Sequence, residues 1–338
     1  MKTLFTKKTL SLFPYSDIIH MSFWRYEMVI KVENLVKTYK SGVKALDGLT
    51  FQVREGEIFG LLGPNGSGKT TSINCILALL EFEAGTVEIF GKEMTPTSYD
   101  IKKDIGIVTQ NVAVYEELTV YEYIDFFCSL YVADKIKRKS LVEEVIEFVA
   151  LNEYRKFLPK KLSGGLLRRL HIACGIVHKP KFIILDEPTV AVDPQSRNKI
   201  LEGIKQLNKE GATIIYTSHY MEEVEMICDY ILIMDKGKTI AEGTKEELKD
   251  SIKLGETIEI ELKEKNSAVL DAVLKSERVI EAYYQGNTLI VKSLKGKSNI
   301  GNILNIIQKY NLEYDRIYSE LPTLNDVFLE ITGKELRD

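Results

Sequence analysis

The chain has 338 residues, enough for one large domain and a smaller one, and its 45 Lys and Arg against 49 Asp and Glu give a formal net charge of −4. This balance lacks the basic excess of a nucleic-acid-binding protein, so we expect no nucleic-acid partner. No stretch approaches the roughly 18 uninterrupted apolar residues of a membrane-spanning helix, so a role at a membrane requires a separate partner chain.

Residues 1–27 differ from the rest of the chain. The apolar run at residues 10–13 is stopped by Pro14, which makes it too short for the core of a signal peptide. We expect residues 1–27 to be a disordered and dispensable N-terminal extension. Contact of this segment with a membrane through Phe23 and Trp24 is a less favoured alternative.

A strand, a glycine-rich loop and a helix follow one another near the start of the folded region. Short strands are predicted at residues 29–32 and 49–53, with a turn at residues 47–48 before the second. Residues 57–62 are a compact apolar run typical of a buried strand, and residues 71–80 have the pattern of a helix. This order is the context that a phosphate-binding loop requires.

The loop between that strand and helix matches the pattern G-x-x-x-x-G-K-[ST], which predicts binding of a nucleoside triphosphate. Its glycines allow several backbone N–H groups to point at one anion, and the helix that follows adds its positive end. Lys69 would contact the β- and γ-phosphates, and the Thr70 hydroxyl would ligate Mg²⁺. The predicted nucleotide-binding residues of the loop are Gly63, Pro64, Asn65, Gly66, Ser67, Gly68, Lys69, Thr70 and Thr71.

The middle of the chain is predicted to be a helical insertion in an α/β core. A short strand at residues 105–110 is followed by a strongly helical stretch over residues 119–170, which opens with a capping box at Thr119. The core then resumes with β-branched runs at residues 182–185 and 213–216, and again near Tyr230. Because these strands alternate with helices, a largely parallel sheet covered on both faces is expected.

After Gly255 the pattern changes to the order β-α-β-β-α-β, which predicts a small ferredoxin-like domain. The predicted fold class is therefore α/β, a P-loop NTPase core with a helical subdomain, plus a small α+β domain. The expected boundaries are 28–250 for the NTPase domain, about 112–170 for its helical subdomain and 255–338 for the C-terminal domain. The four cysteines are widely spaced among apolar residues, which predicts buried free thiols.

Two further segments carry the chemistry. The strand at residues 182–185 ends at Asp186 and Glu187, which predicts that Asp186 holds Mg²⁺ beside the phosphates and that Glu187 orients or deprotonates the attacking water. A second glycine turn, Ser163, Gly164 and Gly165, precedes another helix and predicts a second anion site. Because one ATP does not need two such loops, this second loop is expected to serve the ATP bound by another copy.

Together these residues resemble the ATP-binding cassette (ABC) family over residues 28–248. The resemblance implies an ATP-binding sheet, a helical subdomain, and two cassettes that enclose two ATP molecules head to tail. In that arrangement Ser163 and Gly165 contact the γ-phosphate held by the opposite cassette. The implied cofactors are ATP and Mg²⁺, and the implied second ATPase copy makes either a homodimer or a pair with a paralogous cassette.

The same resemblance implies roles for four isolated residues. Tyr39 would stack on the adenine, and Gln110 would sense Mg²⁺ and water while contacting the transmembrane partner. Asp193 would cross the dimer interface, and His219 would contact the γ-phosphate. Taken singly, three of them also have an ordinary structural explanation: Tyr39 as a strand aromatic, Gln110 as a cap and His219 as a strand-end histidine.

The chain departs from the family pattern at two positions. Leu166 stands where the signature loop usually continues with a polar residue, often glutamine, and Ala191 stands where a glycine is common. Neither change touches the phosphate-binding or acidic residues, so activity is expected to survive. The affinity of the closed dimer is the property that these changes put in doubt.

The favoured function is the ATPase subunit of a bacterial ABC exporter, bound to the cytoplasmic face of the cell membrane through a permease on a separate chain. The tail at residues 321–329 resembles that of drug- and antibiotic-exporter cassettes. A soluble ABC ATPase acting on ribosomes or DNA and an importer cassette are the alternatives. A phosphotransferase is disfavoured because His219 and the loop at residues 163–165 would then have no role.

Overall fold

The computed structural model of the protein describes residues 28–111 and 115–333, so the predicted extension at residues 1–27 lies outside the described residues. The strands are β1 (Met28–Thr38), β2 (Lys44–Arg54), β3 (Ile58–Leu62), β4 (Ala84–Ile89), β5 (Lys92–Glu93), β6 (Ile105–Val108), β7 (Phe182–Asp186), β8 (Thr213–Ser218), β9 (Tyr230–Asp235), β10 (Lys238–Gly243), β11 (Leu254–Leu262), β12 (Val279–Gln285), β13 (Thr288–Leu294) and β14 (Tyr314–Glu320). The helices are α1 (Lys69–Ile76), α2 (Tyr99–Lys102), α3 (Val120–Ser129), α4 (Lys135–Phe148), α5 (Gly164–Ile176), α6 (Pro194–Lys209), α7 (Met221–Ile227), α8 (Lys245–Ser251), α9 (Ser267–Leu274), α10 (Ile300–Lys309) and α11 (Leu324–Thr332).

A six-stranded sheet in the order β10-β9-β3-β8-β7-β6 forms the centre of the larger unit. Five of these strands are parallel, and β10 pairs antiparallel with β9 at the edge. Successive residues of β7 point to opposite faces, Phe182 and Ile184 to one core and Ile183 and Leu185 to another. Burial on both faces explains why these strands are continuous apolar runs, and it confirms the predicted α/β class.

The core that contains Ile183 and Leu185, here called the helix-side core, is completed by the buried faces of α3 to α7. The helical stretch between β6 and β7 begins as predicted, because Thr119 caps α3 with a full capping box. Helix α4 begins directly after Asp134, whose side chain accepts from two backbone N–H groups of the first turn.

The opposite face of the central sheet is covered by α1 and by a four-stranded antiparallel sheet in the order β2-β1-β4-β5. This second sheet was not predicted from the sequence, and the predicted turn at Asp47 and Gly48 is wrong because both residues lie within β2. The hairpin instead turns between Tyr39 and Val43, where the N–H of Tyr39 donates to the carbonyl of Val43 at 2.8 Å. Asp47 and Leu49 pair with consecutive residues of β1, so Gly48, at φ 81°, is the extra residue of a β-bulge.

The C-terminal strands form a four-stranded antiparallel sheet in the order β12-β13-β11-β14, and α9 and α10 share one hydrophobic core with it. This is the predicted ferredoxin-like arrangement, and the predicted turn between β12 and β13 is also confirmed. Helix α11 then returns to the larger unit, where Leu324, Val327 and Phe328 are buried in the helix-side core. The boundaries given above for the domains stay a prediction.

Glu225 fastens this returning helix, because its carboxylate accepts from the Leu324 N–H at 3.3 Å and also pairs with Lys249 of α8. The four cysteines are free and buried, as predicted. Across the two described ranges, no helix combines the length and the apolar character needed to span a membrane.

The packing of α11 yields a stability prediction. Phe328 is 2% exposed whereas Ile331, on the same helix, is 37% exposed. Phe328→Ala should lower the free energy of unfolding by about 3–5 kcal/mol, because it leaves a cavity in the helix-side core. Ile331→Ala is the matched control and should have a much smaller effect. Equal denaturation midpoints for the two variants would contradict the docking of α11 on this core.

Candidate nucleotide site

The glycine loop connects the end of β3 to the start of α1 and is pressed against neighbouring strands. A Cβ added at Gly63 would lie 2.3 Å from the carbonyl oxygen of Met234, and one at Gly68 would lie 2.6 Å from that of Ala45. Gly68 also has φ 111°, which side chains rarely adopt. These constraints explain why the loop requires glycine at both positions.

A pocket of about 330 Å³ lies over this loop. It brings together side chains that are distant in sequence, Tyr39, Gln110 and Glu187, with the loop residues themselves. Its full lining is Tyr39, Val43, Lys44, Ala45, Asn65, Gly66, Gly68, Lys69, Thr70, Thr71, Gln110 and Glu187. The hydroxyls of Tyr39 and Thr71 are 3.1 Å apart, which holds the aromatic ring at the entrance.

Lys69 occupies the floor of the pocket and is only 5% exposed. Its Nζ donates to the carbonyl oxygens of Gly63 at 2.7 Å and Pro64 at 3.3 Å. The same ammonium lies 3.2 Å from Oε1 of Glu187. A cation and an anion that are both nearly excluded from solvent therefore face each other beside the phosphate loop.

Glu187 is 3% exposed, and its second carboxylate oxygen lies 2.6 Å from Nδ1 of His219. The residue has φ 51°, a left-handed conformation that is strained for a side chain of this kind. Its own N–H donates to the Thr217 hydroxyl at 3.0 Å. The carboxylate is therefore fixed on both oxygens, by Lys69 on one side and by His219 on the other.

Asp186 lies one residue earlier, at the end of β7, and is also 3% exposed. Its Oδ2 accepts from the Thr70 hydroxyl at 3.0 Å and its Oδ1 accepts from the Thr217 hydroxyl at 2.6 Å. Thr217 was not assigned a role from the sequence. Its contribution is to anchor both acidic residues from the neighbouring strand β8.

The oxygen atoms of Thr70 and Asp186 are of the kind that Mg²⁺ prefers. Among the residues that the structure describes, no group of three or more His, Cys, Asp and Glu side chains could hold a metal. A Mg²⁺ ion here would therefore take its remaining ligands from phosphate oxygens and water. The donor set fits Mg²⁺ that arrives with a nucleotide better than a resident ion.

A buried carboxylate that the sequence analysis missed lies behind this site. Glu223 is 3% exposed and accepts from the hydroxyls of Thr189 at 2.8 Å, Tyr216 at 2.6 Å and Ser218 at 3.1 Å. Its other oxygen pairs with Arg197 at 3.2 Å. It therefore ties the segment after Glu187 to the segment before His219. No signal in the sequence distinguishes Glu223 from the other glutamates near it, Glu222 and Glu225.

The second glycine turn lies elsewhere on the molecule. Ser163 caps α5 by accepting from the N–H of Leu166 at 3.4 Å, and the side chain of Leu166 packs partly against the helix-side core. A Cβ on Gly165 would lie 2.7 Å from the hydroxyl of Ser196, so this turn packs against the start of α6. Asp193 caps that helix, and the hydrogen bonds from Ser196 lower the pKa of the Asp193 carboxyl.

The two glycine loops do not meet within one chain. The described residues that line the pocket over Lys69 do not include the second glycine turn, Ser163, Gly164 and Gly165, or the nearby Asp193. Gly164 is exposed, and an added Cβ there would have only the carbonyl oxygen of Ala191 as a neighbour, at 3.6 Å. The turn at residues 163–165 therefore presents an open face to the outside of the molecule.

These features together define a nucleotide hydrolase of the P-loop class: the phosphate loop, the buried acidic pair and the parallel sheet. A family model described as ABC transporter matches residues 46–190. The chain is 38% identical over 320 residues to the linearmycin resistance ATP-binding protein LnrL of Bacillus subtilis (strain 168), across 92% of this chain and 100% of that protein. It is 32% identical over 311 residues to the daunorubicin/doxorubicin resistance ATP-binding protein DrrA of Streptomyces peucetius, across 91% of this chain and 94% of that protein.

Among solved structures, the chain is similar to a dimeric ATP-binding cassette in a post-hydrolysis state bound to ADP and Pi. That likeness has a TM-score of 0.59 and 28% identity, and it covers 64% of this chain and 98% of the other. The chain therefore belongs to the ATP-binding proteins of ABC transporters, and it is an ATPase.

Ala191 yields a prediction about the departure from the family pattern. It is exposed and has φ 58°, in the left-handed region. Ala191→Gly should raise the free energy of unfolding by up to about 1 kcal/mol, because glycine adopts this conformation without steric cost. The matched control is Ala84→Gly, an exposed position in β4, which should instead be destabilising by roughly 0.5–1 kcal/mol. A lower denaturation midpoint for Ala191→Gly would show that the turn is not strained.

Proposed function

We propose that this protein is the ATP-hydrolysing subunit of a bacterial exporter whose transmembrane permease is a separate chain. The resistance proteins LnrL and DrrA support export, since their similarity extends over more than nine-tenths of this chain. The observation that carries the chemistry is the Glu187 carboxylate, held between Lys69 and His219 at the edge of the nucleotide pocket. The protein would work at the cytoplasmic face of the membrane, bound to its permease.

The phosphate loop and Lys69 would bind the β- and γ-phosphates, and Tyr39 would stack on the adenine. Thr70 and Asp186 would hold Mg²⁺, and Gln110 would sense it together with the attacking water. Mg²⁺ would supply positive charge that neutralises the phosphate oxygens. The Thr70 and Asp186 side-chain oxygens, 3.0 Å apart, support this assignment.

Glu187 would orient the attacking water and accept its proton. One of its oxygens is paired with the Lys69 ammonium. Phosphate oxygens would compete for that ammonium and so release the Glu187 oxygen for the water. His219 lies on the other carboxylate oxygen, where it can keep Glu187 in place and contact the γ-phosphate. ATP binding would in this way switch Glu187 from an ion-pair partner to a general base.

A second copy, either of this chain or of a paralogous cassette, would complete the site. The turn formed by Ser163, Gly164 and Gly165 lies outside the pocket of its own chain, and it combines the N-terminus of α5 with an exposed glycine. Such a terminus favours a phosphate group. The solved relative that is dimeric with ADP and Pi supports the same arrangement. Asp193, beside this turn, would then lie at the contact between the two copies.

The chemical roles predict that two variants separate binding from hydrolysis. Glu187→Gln should still bind ATP but lower kcat by about 10²–10⁴-fold, because an amide cannot accept the proton of the water. Lys69→Ala should instead lose ATP affinity. Both are measured by equilibrium nucleotide binding and by phosphate release. Glu222→Gln, the same change at an exposed position, is the control and should hydrolyse ATP normally. Near-normal turnover by Glu187→Gln would refute the assignment.

The transport direction is tested in cells. Deleting the gene should increase susceptibility to antibiotics, and the wild-type gene but not Glu187→Gln should restore resistance. A growth defect that is relieved by adding a nutrient, without any change in antibiotic susceptibility, would favour the importer alternative.

A further inference from the structure

Arg168 lies in the first turns of α5, one turn after Ser163, and is only 4% exposed. Its guanidinium has five N–H bonds, and all five donate to backbone carbonyl oxygens. The acceptors are Pro188 (from Nε, 2.7 Å), Thr109 and Gln110 (from Nη1, 2.7 and 3.3 Å), and Asp186 and Glu187 (from Nη2, 3.0 and 2.9 Å).

No carboxylate among the described residues forms an ion pair with Arg168 within salt-bridge distance. Burial lowers the pKa of its guanidinium to about 10, which still leaves it protonated at neutral pH. A buried charge of this kind is costly unless polar groups replace the lost water. The five carbonyl dipoles stabilise the charge directly, and the negative charges of Asp186 and Glu187 nearby raise the pKa of the guanidinium against the effect of burial.

These acceptors belong to the two segments that carry the active-site groups. Thr109 and Gln110 follow β6, while Asp186 ends β7 and Glu187 follows it. Arg168 itself belongs to α5, the helix whose N-terminus holds the exposed turn at residues 163–165. One side chain therefore connects the surface that would face the second copy with the backbone of both Gln110 and Glu187.

We propose that Arg168 is a positioning residue that fixes the backbone of Gln110 and Glu187 relative to α5. Through this side chain, docking of the second copy on the turn at residues 163–165 is transmitted to the Glu187 carboxylate of the same chain, which activates the water. This inference rests on the roles of Gln110 and Glu187 proposed above. Arg168 does not itself contact the pocket over Lys69.

The strained backbone of Glu187 explains why such a clamp is needed. A residue at φ 51° keeps that conformation only where its surroundings over-determine it. Arg168 holds the carbonyl groups of Asp186, Glu187 and Pro188, while the Thr217 hydroxyl holds the Glu187 N–H from the other side. Lysine cannot replace arginine here, because its ammonium has three N–H bonds and no planar fork.

The neighbouring Arg169 provides a matched control. It lies on the same helix, but within the described part of the chain its Nη1 donates only to the carbonyl oxygens of Val149 and Ala150, at 3.4 and 3.5 Å. Those residues follow α4 and carry none of the proposed active-site groups. A change at Arg169 therefore perturbs α5 without loosening Gln110 or Glu187.

The test compares Arg168→Lys with Arg169→Lys in the full chain, using kcat for ATP hydrolysis, ATP affinity by equilibrium binding, and the thermal midpoint. For Arg168→Lys we expect kcat to fall by about 10–100-fold, because misplacement of the Glu187 carboxylate by about 1 Å has effects of that size. ATP affinity should change by less than about threefold, since the phosphate loop is not touched. Arg169→Lys should keep kcat within about twofold of wild type.

A double-mutant cycle with Gln110→Ala supplies a second measurement. If Arg168 acts partly through Gln110, the losses in kcat for Arg168→Lys and Gln110→Ala should not add. Unchanged kcat in Arg168→Lys would overturn the proposal, as would equal losses of kcat, ATP affinity and thermal midpoint, which indicate a structural role only. Glu187→Gln is measured in parallel, so that failure of the Arg168 proposal can be distinguished from failure of the proposed function. Near-normal turnover by Glu187→Gln would refute the catalytic site itself.

Discussion

The ion pair between Lys69 and Glu187, 3.2 Å apart and nearly excluded from water, is the constraint on which the site depends. A buried charge is tolerated only when it is paired or well hydrogen-bonded. Each partner therefore needs a rigid support. Lys69 begins α1 directly after the glycine loop, and Glu187 follows the end of β7. Since both segments leave the carboxyl edge of the same parallel sheet, the fold itself brings the two charges together.

The surrounding residues hold this arrangement mainly through the backbone. Glu187 has a left-handed conformation, and Thr217 and Arg168 hold its N–H and carbonyl groups from opposite sides. Glu223 joins the segment after it to the segment that carries His219. Strain at one residue is thus balanced by several buried hydrogen bonds. Such an arrangement keeps the Glu187 carboxylate in one position.

Much of this organisation could be predicted from local patterns. The glycine loop, the apolar run before Asp186 and the capping box at Thr119 each depend on neighbouring residues, and the structure has them where expected. The sheet formed by β2, β1, β4 and β5 was missed because its pairings are long-range and its bulge at Gly48 resembles a turn. The contacts of Arg168 were also missed, because their acceptors are backbone carbonyl groups that every residue possesses.

The central claim is that each ATP site is shared between two copies, and mixing two inactive variants tests it most directly. Lys69→Ala disables the phosphate loop, while Gly164→Asp places a negative charge on the exposed turn, where a side chain has room in the monomer. In a mixed dimer both defects fall in one shared site and the other site is intact. An equal mixture should therefore recover about a quarter of wild-type ATPase activity, since roughly half the dimers are mixed and each has one working site. No recovery from stable, dimer-competent variants would contradict the account.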